Sequence, residues 1–348
     1  MNRKLLIRLV CVFIIVLAVS SIAIYYTIDI ENINYMSLFV PKYVLLAFIS
    51  LAIGLFLDGS RLVHLVHVVG ERTTLYDTIK VVFSNYFLAL LTPGATGGAV
   101  AQVMFLKRAG VPAGKATVVV LVRTMLSILF LILVLPLVMS MDNMVIGLVS
   151  FQTLALIALL SFIIFVCLLV LLQTNYPEKW LMFFMRNTNR ILKRRIYRFY
   201  KDIKITAQIF IKNPVVVVRV FFESGASLLF IYATVPILFY GINPDVHLGQ
   251  ALCRMIVLNL ILYFTPTPGG VGVAEAGFVV LFNNMLPRGT VGIMAIAWRF
   301  IVEYVPFTIG GFFCIKTFGA DIVTALSNKS KKDRDALPVD KEYFNTEL

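Results

Sequence analysis

The sequence predicts an all-α polytopic membrane protein with about six full transmembrane helices and two re-entrant, broken-helix hairpins in an inverted repeat. Three observations lead to this fold class. Of the 348 residues, 60% are hydrophobic and only 14% are charged, which is too few charged side chains to cover a soluble domain. Apolar runs of membrane-spanning length recur along the chain. Two of them are interrupted by similar Thr-Pro-Gly motifs.

Six uninterrupted apolar runs are predicted to cross the membrane. Each approaches or exceeds the roughly 20 residues that a membrane helix needs, and they lie at residues 5–28, 41–57, 112–138, 144–172, 214–240 and 289–315. The first begins with bases, as a signal peptide does, but its apolar part exceeds the usual h-region of about 7–15 residues. We therefore interpret it as an uncleaved helix.

The distribution of lysine and arginine predicts the orientation. Bases concentrate in the cytoplasmic loops of membrane proteins, and Arg3 and Lys4 precede the first span. Bases also flank the broken segment 75–106 on both sides, so this segment is predicted to enter and leave from the cytoplasm. We expect the chain in the plasma membrane, with its N- and C-termini in the cytoplasm.

Residues 1–318 are predicted to form one transmembrane domain, followed by a polar cytoplasmic tail at 319–348. Within the domain, residues 177–213 form a basic cytoplasmic linker with ten lysines and arginines against two acidic residues. Its spaced apolar residues favour a helix on the inner leaflet, and a solvated loop without a lipid role is the alternative. The net charge of +13 is thus explained by bases that orient the chain in the membrane and attract anionic lipid, rather than by nucleic-acid binding.

The two broken segments share a motif and a downstream arginine. The first reads TPGATGGAVAQ from Thr92, and the second reads TPGGVGVAE from Thr267. Arg123 lies 31 residues after Thr92, and Arg299 lies 32 residues after Thr267. Each arginine is in the interior of the apolar run that follows its motif.

The units around 75–138 and 248–315 are interpreted as an inverted repeat, because three full spans separate the two hairpins. Transporters with such repeats and broken helices bind substrate where the repeats meet. Packing alone is the alternative, since Gly and Pro are common in membrane helices. Glycine-rich tips leave N–H groups that can hold an anion, and the candidate glycines are Gly94, Gly97, Gly98, Gly269, Gly270 and Gly272.

Arg123 and Arg299 are the main substrate-binding candidates. Ionisable residues in the apolar core are costly and usually functional, and a guanidinium can bind phosphate through two hydrogen bonds. Gln102 and Glu275 follow the two glycine clusters, and Glu303 lies one helical turn after Arg299, so we add them to the site. The alternative for Glu303 is that it only neutralises Arg299.

Other polar residues in apolar runs have simpler interpretations. Arg219 and Arg254 are nearer to helix ends, where we expect their side chains to snorkel. Asp58 and Arg61 are expected to mark the inner membrane boundary. The sequence has no Walker, nucleophile-elbow or Rossmann motif and no set of metal ligands at a suitable spacing. We therefore assign no catalytic residue, no cofactor and no metal site.

In its two Thr-Pro-Gly motifs and the segments that follow them, the sequence resembles the lysylphosphatidylglycerol synthase transmembrane-region family, also called flippase-like membrane proteins. The resemblance rests on TPGATGGAVAQ with the later KRAGVPAGKA and LVRT, and on TPTPGGVGVAEAGF with the later WRFIVE; it covers about residues 5–318. It implies a region that flips aminoacylated phosphatidylglycerol to the outer leaflet. In full-length members a soluble domain makes that lipid from charged tRNA, which gives resistance to cationic peptides. Only about thirty residues follow the last predicted span, so we expect no transfer domain.

The sequence therefore favours translocation of an anionic phospholipid or lipid-linked substrate, such as aminoacylated phosphatidylglycerol, between leaflets. A membrane lipid, either an anionic phospholipid or a lipid-linked glycan, is the expected partner and nucleic acid is not, whereas a separate synthase partner and a homo-oligomer are left open. Two alternatives remain. One is a phosphatidylglycerol lysyltransferase, or a membrane subunit of one, although we do not expect this chain to be an enzyme by itself. The other is a non-transporting scaffold.

Overall fold

The computed structural model describes residues 39–139, 190–287 and 289–318, together with Asp142 and scattered positions between 152 and 182. The predicted span 5–28, most of 144–172, the tail 319–348 and the first part of the basic linker lie outside the described residues. The described chain is helical between turns. Its helices are α1 (Pro41–Val68), α2 (Leu75–Leu91), α3 (Thr96–Arg108), α4 (Ala113–Met139), α5 (Arg190–Lys212), α6 (Pro214–Tyr232), α7 (Thr234–Tyr240), α8 (Leu248–Tyr263), α9 (Val273–Phe282) and α10 (Val291–Phe318).

Four stretches of the described chain are long and apolar enough to cross a membrane, namely α1, α4, α6 with α7, and α10. They coincide with four of the six predicted spans, which confirms a multi-pass, all-α membrane protein. The helix predicted at 41–57 is longer than expected, because α1 continues to Val68. Pro41 and Pro214 stand in the first turns of α1 and α6, where proline's missing N–H removes no helical hydrogen bond.

The first broken segment folds as two helices that pack against each other. A 3₁₀ turn at Pro93–Ala95 separates α2 from α3. The helices approach closely at Gly98, where a Cβ would lie 2.4 Å from Asn85 Oδ1. A side chain at position 98 would therefore force the two helices apart.

The second broken segment repeats this arrangement. Helices α8 and α9 contact each other and are separated by a 3₁₀ turn at Pro268–Gly270. A Cβ at Gly277 would lie 2.7 Å from Leu258 Cδ1. We call the segments α2–α3 and α8–α9 the first and second hairpins, and their 3₁₀ turns the first and second tips.

Apolar packing holds the second hairpin against α7 and α10. Phe239, Phe278, Phe282 and Trp298 are buried within a single cluster, in which the rings of Phe278 and Trp298 stack with centroids 5.2 Å apart. Such buried rings contribute much of the packing free energy of a core. Helix α10 contains one π-helical turn, Phe300–Tyr304, directly after Arg299.

The basic linker contains helix α5, which packs on α4 and α6. It buries Ala207 and Phe210 and exposes Leu192 and Phe199. The helix predicted within the linker is thus present in its described part. A binding role toward the inner leaflet stays a prediction.

Candidate functional site

The tips of the two hairpins touch each other. The Gly94 N–H donates a hydrogen bond to the Pro266 carbonyl over 3.1 Å, and Gly269 lies against Leu90. Gly94 and Gly269 have φ angles of +59° and +58°, a left-handed conformation that glycine adopts without steric cost. The Thr-Pro-Gly motifs therefore create two irregular tips that contact each other.

The first tip is internally hydrogen-bonded. The Thr92 hydroxyl accepts from the Gly97 N–H at 2.7 Å and donates to the Leu88 carbonyl at 2.8 Å. Ala95, at φ +52°, is a non-glycine residue in the left-handed region, which is uncommon and strained. The motif threonine thus connects the end of α2 to the start of α3.

A buried group of three ionisable residues lies beside the first hairpin, and we call Asp58, Arg61 and Arg123 the first charge cluster. Asp58 accepts from Arg61 Nε at 2.6 Å and from Arg123 Nε at 3.1 Å, and it also pairs with Arg123 Nη2. Arg61 Nη1 donates to Ser127 at 2.9 Å. One carboxylate therefore serves two guanidinium groups, and the formal charge of the cluster is +1.

Arg123 also binds the first hairpin. Its Nη1 donates to Gln102 Oε1 at 2.9 Å, and Gln102 Nε2 donates to Asn85 Oδ1 at 2.7 Å. All three guanidinium nitrogens of Arg123 thus have protein partners. The nitrogens of Arg123 are therefore directed at the protein, although the cluster keeps its formal charge of +1.

The second charge cluster, Glu275, Arg299 and Glu303, lies at the second tip. Arg299 Nε donates to Glu275 Oε1 at 3.1 Å, and its Nη1 donates to the Gly269 carbonyl at 2.8 Å and to Glu303. Glu275 Oε2 also accepts from the Gly272 N–H at 2.7 Å. Two carboxylates and one guanidinium give this cluster a formal charge of −1 when all are ionised.

Two buried polar atoms at the second tip have no hydrogen-bond partner among the described residues. They are Arg299 Nη2 and Thr267 Oγ1. Thr267 occupies the motif position of Thr92, whose hydroxyl has two partners at the first tip. Buried polar atoms are nearly always hydrogen-bonded, so these two atoms indicate a place where a ligand or water supplies the partner.

Helix α1, which carries Asp58 and Arg61, contacts the π-helical turn of α10 that contains Glu303. The two charge clusters, which have opposite formal charges, therefore lie on helices that pack against each other.

The structure joins most predicted site residues and adds others. Arg123 meets Gln102, and Arg299 meets Glu275 and Glu303, whereas Gly94, Gly97 and Gly98 shape the first hairpin. Gly270 and Gly272, at φ +67° and +84°, form the second tip. Sequence reasoning missed Asp58, Arg61, Asn85 and Ser127. The sequence feature that could have identified Asp58 and Arg61 was their Asp-x-x-Arg spacing within a helical stretch that stays apolar beyond residue 57.

One expectation about charged residues was wrong, and another stays a prediction. Asp58 and Arg61 are 4% and 3% exposed, because Arg123 from α4 joins them, and their place at the inner membrane boundary stays a prediction. Arg254 does not snorkel. It is 3% exposed and binds Asp142, the Leu281 carbonyl and Asn284, which ties α8 to the end of α9.

Arg219 behaves as expected of a residue near a helix end. Its side chain is 61% exposed and pairs with Glu223 at 2.9 Å. Its Nη2 also lies 3.2 Å from His64 Nε2, and His64 Nδ1 lies 2.9 Å from Glu223. His64 thus belongs to a partly exposed polar group on α1 and α6.

An apolar groove of about 330 Å³ opens between α1, α2 and α10. On α1 it includes Leu55, three residues before Asp58, and on α10 it includes Val305 and Pro306, which follow Glu303. The remaining lining residues are also apolar: Phe48, Leu51, Ala52, Phe56, Ile79, Val82, Phe83 and Ile309. A hydrocarbon chain fits this surface chemically.

Comparison with known proteins gives two matches. A curated relative from Archaeoglobus fulgidus, described as a UPF0104 membrane protein, is 18% identical over 246 residues, which cover 68% of this chain and 74% of the relative. Residues 11–310 match the family described as the lysylphosphatidylglycerol synthase TM region. Because that match extends over most of the chain and includes both hairpins and both charge clusters, this protein belongs to the lysylphosphatidylglycerol synthase TM region family.

Proposed function

We propose that this protein moves an anionic phospholipid or lipid-linked substrate, such as aminoacylated phosphatidylglycerol, between the two leaflets. The observation that carries the proposal is Arg299 Nη2, which is buried and has no hydrogen-bond partner among the described residues. It belongs to a buried cation beside the glycine-rich second tip. Leaving such a donor unpaired costs free energy. A lipid phosphate oxygen is an acceptor that matches a guanidinium in both charge and geometry.

The relation between the hairpins supports transport over mere packing. The tips touch through Gly94 and Pro266. We propose that they belong to two halves of an inverted repeat, entered from opposite sides of the membrane. Substrate binds between the halves in transporters built this way.

The two arginines have unequal roles in this proposal. Arg299 contacts the headgroup through Nη2, whereas Arg123 has protein partners for all its guanidinium nitrogens. The first charge cluster therefore attracts the headgroup through its net positive charge. The apolar groove beside Val305 receives part of a hydrocarbon chain, and the rest of the lipid stays in the bilayer.

Substitution of Arg299 tests the proposal. The readout is leaflet exposure of fluorescent phosphatidylglycerol in proteoliposomes that contain the full chain. A hydrogen bond to a charged group contributes about 1.5–3 kcal/mol, so Arg299→Ala should slow exchange about 10- to 100-fold. Arg299→Lys should slow it less, because lysine keeps the charge but not the fork. Arg219→Ala removes an exposed arginine and is the matched control.

Each variant must first elute as a monodisperse species, because Arg299→Ala leaves two carboxylates without their cation. A well-folded Arg299→Ala protein that exchanges lipid at the wild-type rate would refute the assignment of Arg299. If the wild-type protein does not exchange lipid either, the scaffold alternative replaces transport.

A further inference from the structure

The second charge cluster carries one negative charge too many to receive an anion. Glu275 and Glu303 share Arg299, and their side chains are 13% and 16% exposed, against 3% for Arg299. An ionised phosphate on Arg299 Nη2 would bring the formal charge from −1 to −2. Charges in so dry a site are poorly screened and repel strongly. Anion binding there therefore requires that another negative charge disappears.

We infer that the second charge cluster binds a proton together with the anionic headgroup, and that Glu303 is the group that takes the proton. This inference rests on the proposed function and names its second substrate. An O–H bond forms between a Glu303 carboxylate oxygen and a proton delivered by water, while the phosphate stays ionised. The cluster keeps its formal charge of −1, and the proton returns to water when the lipid leaves.

Glu275 is the worse proton acceptor because its surroundings favour the carboxylate form. Its Oε2 accepts from the Gly272 N–H at 2.7 Å, and its Oε1 accepts from Arg299 at 3.1 Å. It also stands in the first turn of α9, where the helix dipole stabilises a negative charge. Protonation of Glu275 would weaken all three interactions.

Glu303 has fewer interactions to lose. Within the described part of the chain, its hydrogen-bond partner is Arg299, the residue that the phosphate also approaches. It lies in the π-helical turn of α10, a feature that frequently occurs at functional sites. As the phosphate accepts hydrogen bonds from Arg299, the ionised form of Glu303 loses the hydrogen bond and charge that stabilise it.

Among the described residues, no cation other than Arg299 forms a hydrogen bond or ion pair with Glu303. Glu275 faces it from α9, and the Tyr86 hydroxyl lies within its field from α2. Tyr304, the next residue on α10, lies near Arg299. Helix α1 also contacts the π-helical turn, but its Asp58 is held by two arginines. Among these groups, Arg299 is the cation that can neutralise Glu303.

Proton uptake on lipid binding is measured with short-chain phosphatidylglycerol and the full chain in weakly buffered detergent solution containing a pH indicator. We expect about one proton per bound lipid, with the affinity falling up to about tenfold per pH unit on the alkaline side. Exchange in proteoliposomes should slow in parallel between about pH 6 and about pH 8. Glu303→Gln imitates the protonated acid, so it should bind lipid without proton uptake and with little pH dependence.

Glu223→Gln changes a partly exposed residue that pairs with Arg219, and this variant should keep the wild-type proton uptake and pH profile. The inference is overturned if the wild-type protein binds and exchanges lipid without proton uptake at either pH, and in that case the proposed function stands. A Glu303→Gln protein with the wild-type pH profile overturns it as well. If Glu303→Gln aggregates, the wild-type proton count decides. If the wild-type protein neither binds nor exchanges lipid at any pH, both proposals fall.

Discussion

The substitution Asp58→Asn removes the carboxylate that Arg61 and Arg123 share and nearly preserves the shape of the side chain. All three side chains of the first charge cluster are buried, with exposed fractions of 4% for Asp58, 3% for Arg61 and 8% for Arg123. Water therefore cannot solvate the two guanidinium groups once the carboxylate charge is lost. The asparagine would leave two guanidinium groups facing each other without an anion. Removing one partner of a buried ion pair costs about 3–5 kcal/mol.

This cost can be converted into a change of unfolding temperature. An unfolding entropy of about 2.1 cal/mol/K per residue amounts to about 0.7 kcal/mol/K for 348 residues. Asp58→Asn should therefore lower the unfolding temperature by about 4–7 °C. The measurement is thermal unfolding in a single detergent, followed by fluorescence and checked by the loss of the monodisperse elution peak.

Asp77→Asn is the matched control. Asp77 and Lys80 form a pair at the same helical spacing, with 3.0 Å between Nζ and Oδ1 and with side chains 33% and 23% exposed. Such a pair contributes about 0–1 kcal/mol, so the unfolding temperature should fall by about 1 °C or less. Equal shifts for Asp58→Asn and Asp77→Asn would refute the view that Asp58 is a buried counter-ion.

Two further predictions concern the hairpins. Gly98→Leu should lower the free energy of unfolding by about 1–3 kcal/mol through overpacking against Asn85. The control Val100→Leu, at a position that is 57% exposed, should change this free energy by about 0.5 kcal/mol or less. The two variants are compared by thermal unfolding, and equal stability would argue against the close helix contact. Lys107→Cys and Asn283→Cys, both at exposed positions, should react with an impermeant thiol reagent from opposite sides of the membrane, and labelling from one side alone would exclude the inverted repeat.

Local sequence patterns were enough to predict four membrane-spanning stretches of the described chain and the two breaks. The spans 112–138 and 214–240 agree with α4 and α6–α7 to within a residue or two at their ends, because a continuous apolar run at membrane length allows few other structures. The pairing of Arg299 with Glu303 also followed from local spacing, since residues four apart share a helix face.

Contacts between distant segments could not be read in the same way. The Asp58–Arg123 pair joins residues 65 positions apart, and the Arg254–Asp142 pair joins residues 112 apart. A hydropathy pattern shows that an arginine is buried but not which carboxylate neutralises it. For this reason the sequence assigned Arg123 and Arg299 equally to phosphate. In the structure, each guanidinium nitrogen of Arg123 has a protein partner, whereas one nitrogen of Arg299 has none among the described residues.

This asymmetry bears on the order of events in the proposed transport cycle. The Thr92 hydroxyl has two partners and Arg123 is held by Asp58, whereas Thr267 and Arg299 at the second tip each have a polar atom without a partner among the described residues. In the proposed function, the second tip is therefore the one that receives a headgroup in this conformation. The two halves of the proposed inverted repeat would then exchange conformations as the substrate crosses the membrane. For Arg123 to bind phosphate in its turn, it must first lose contact with Asp58, so we expect Arg61 to keep that carboxylate neutralised while Arg123 moves.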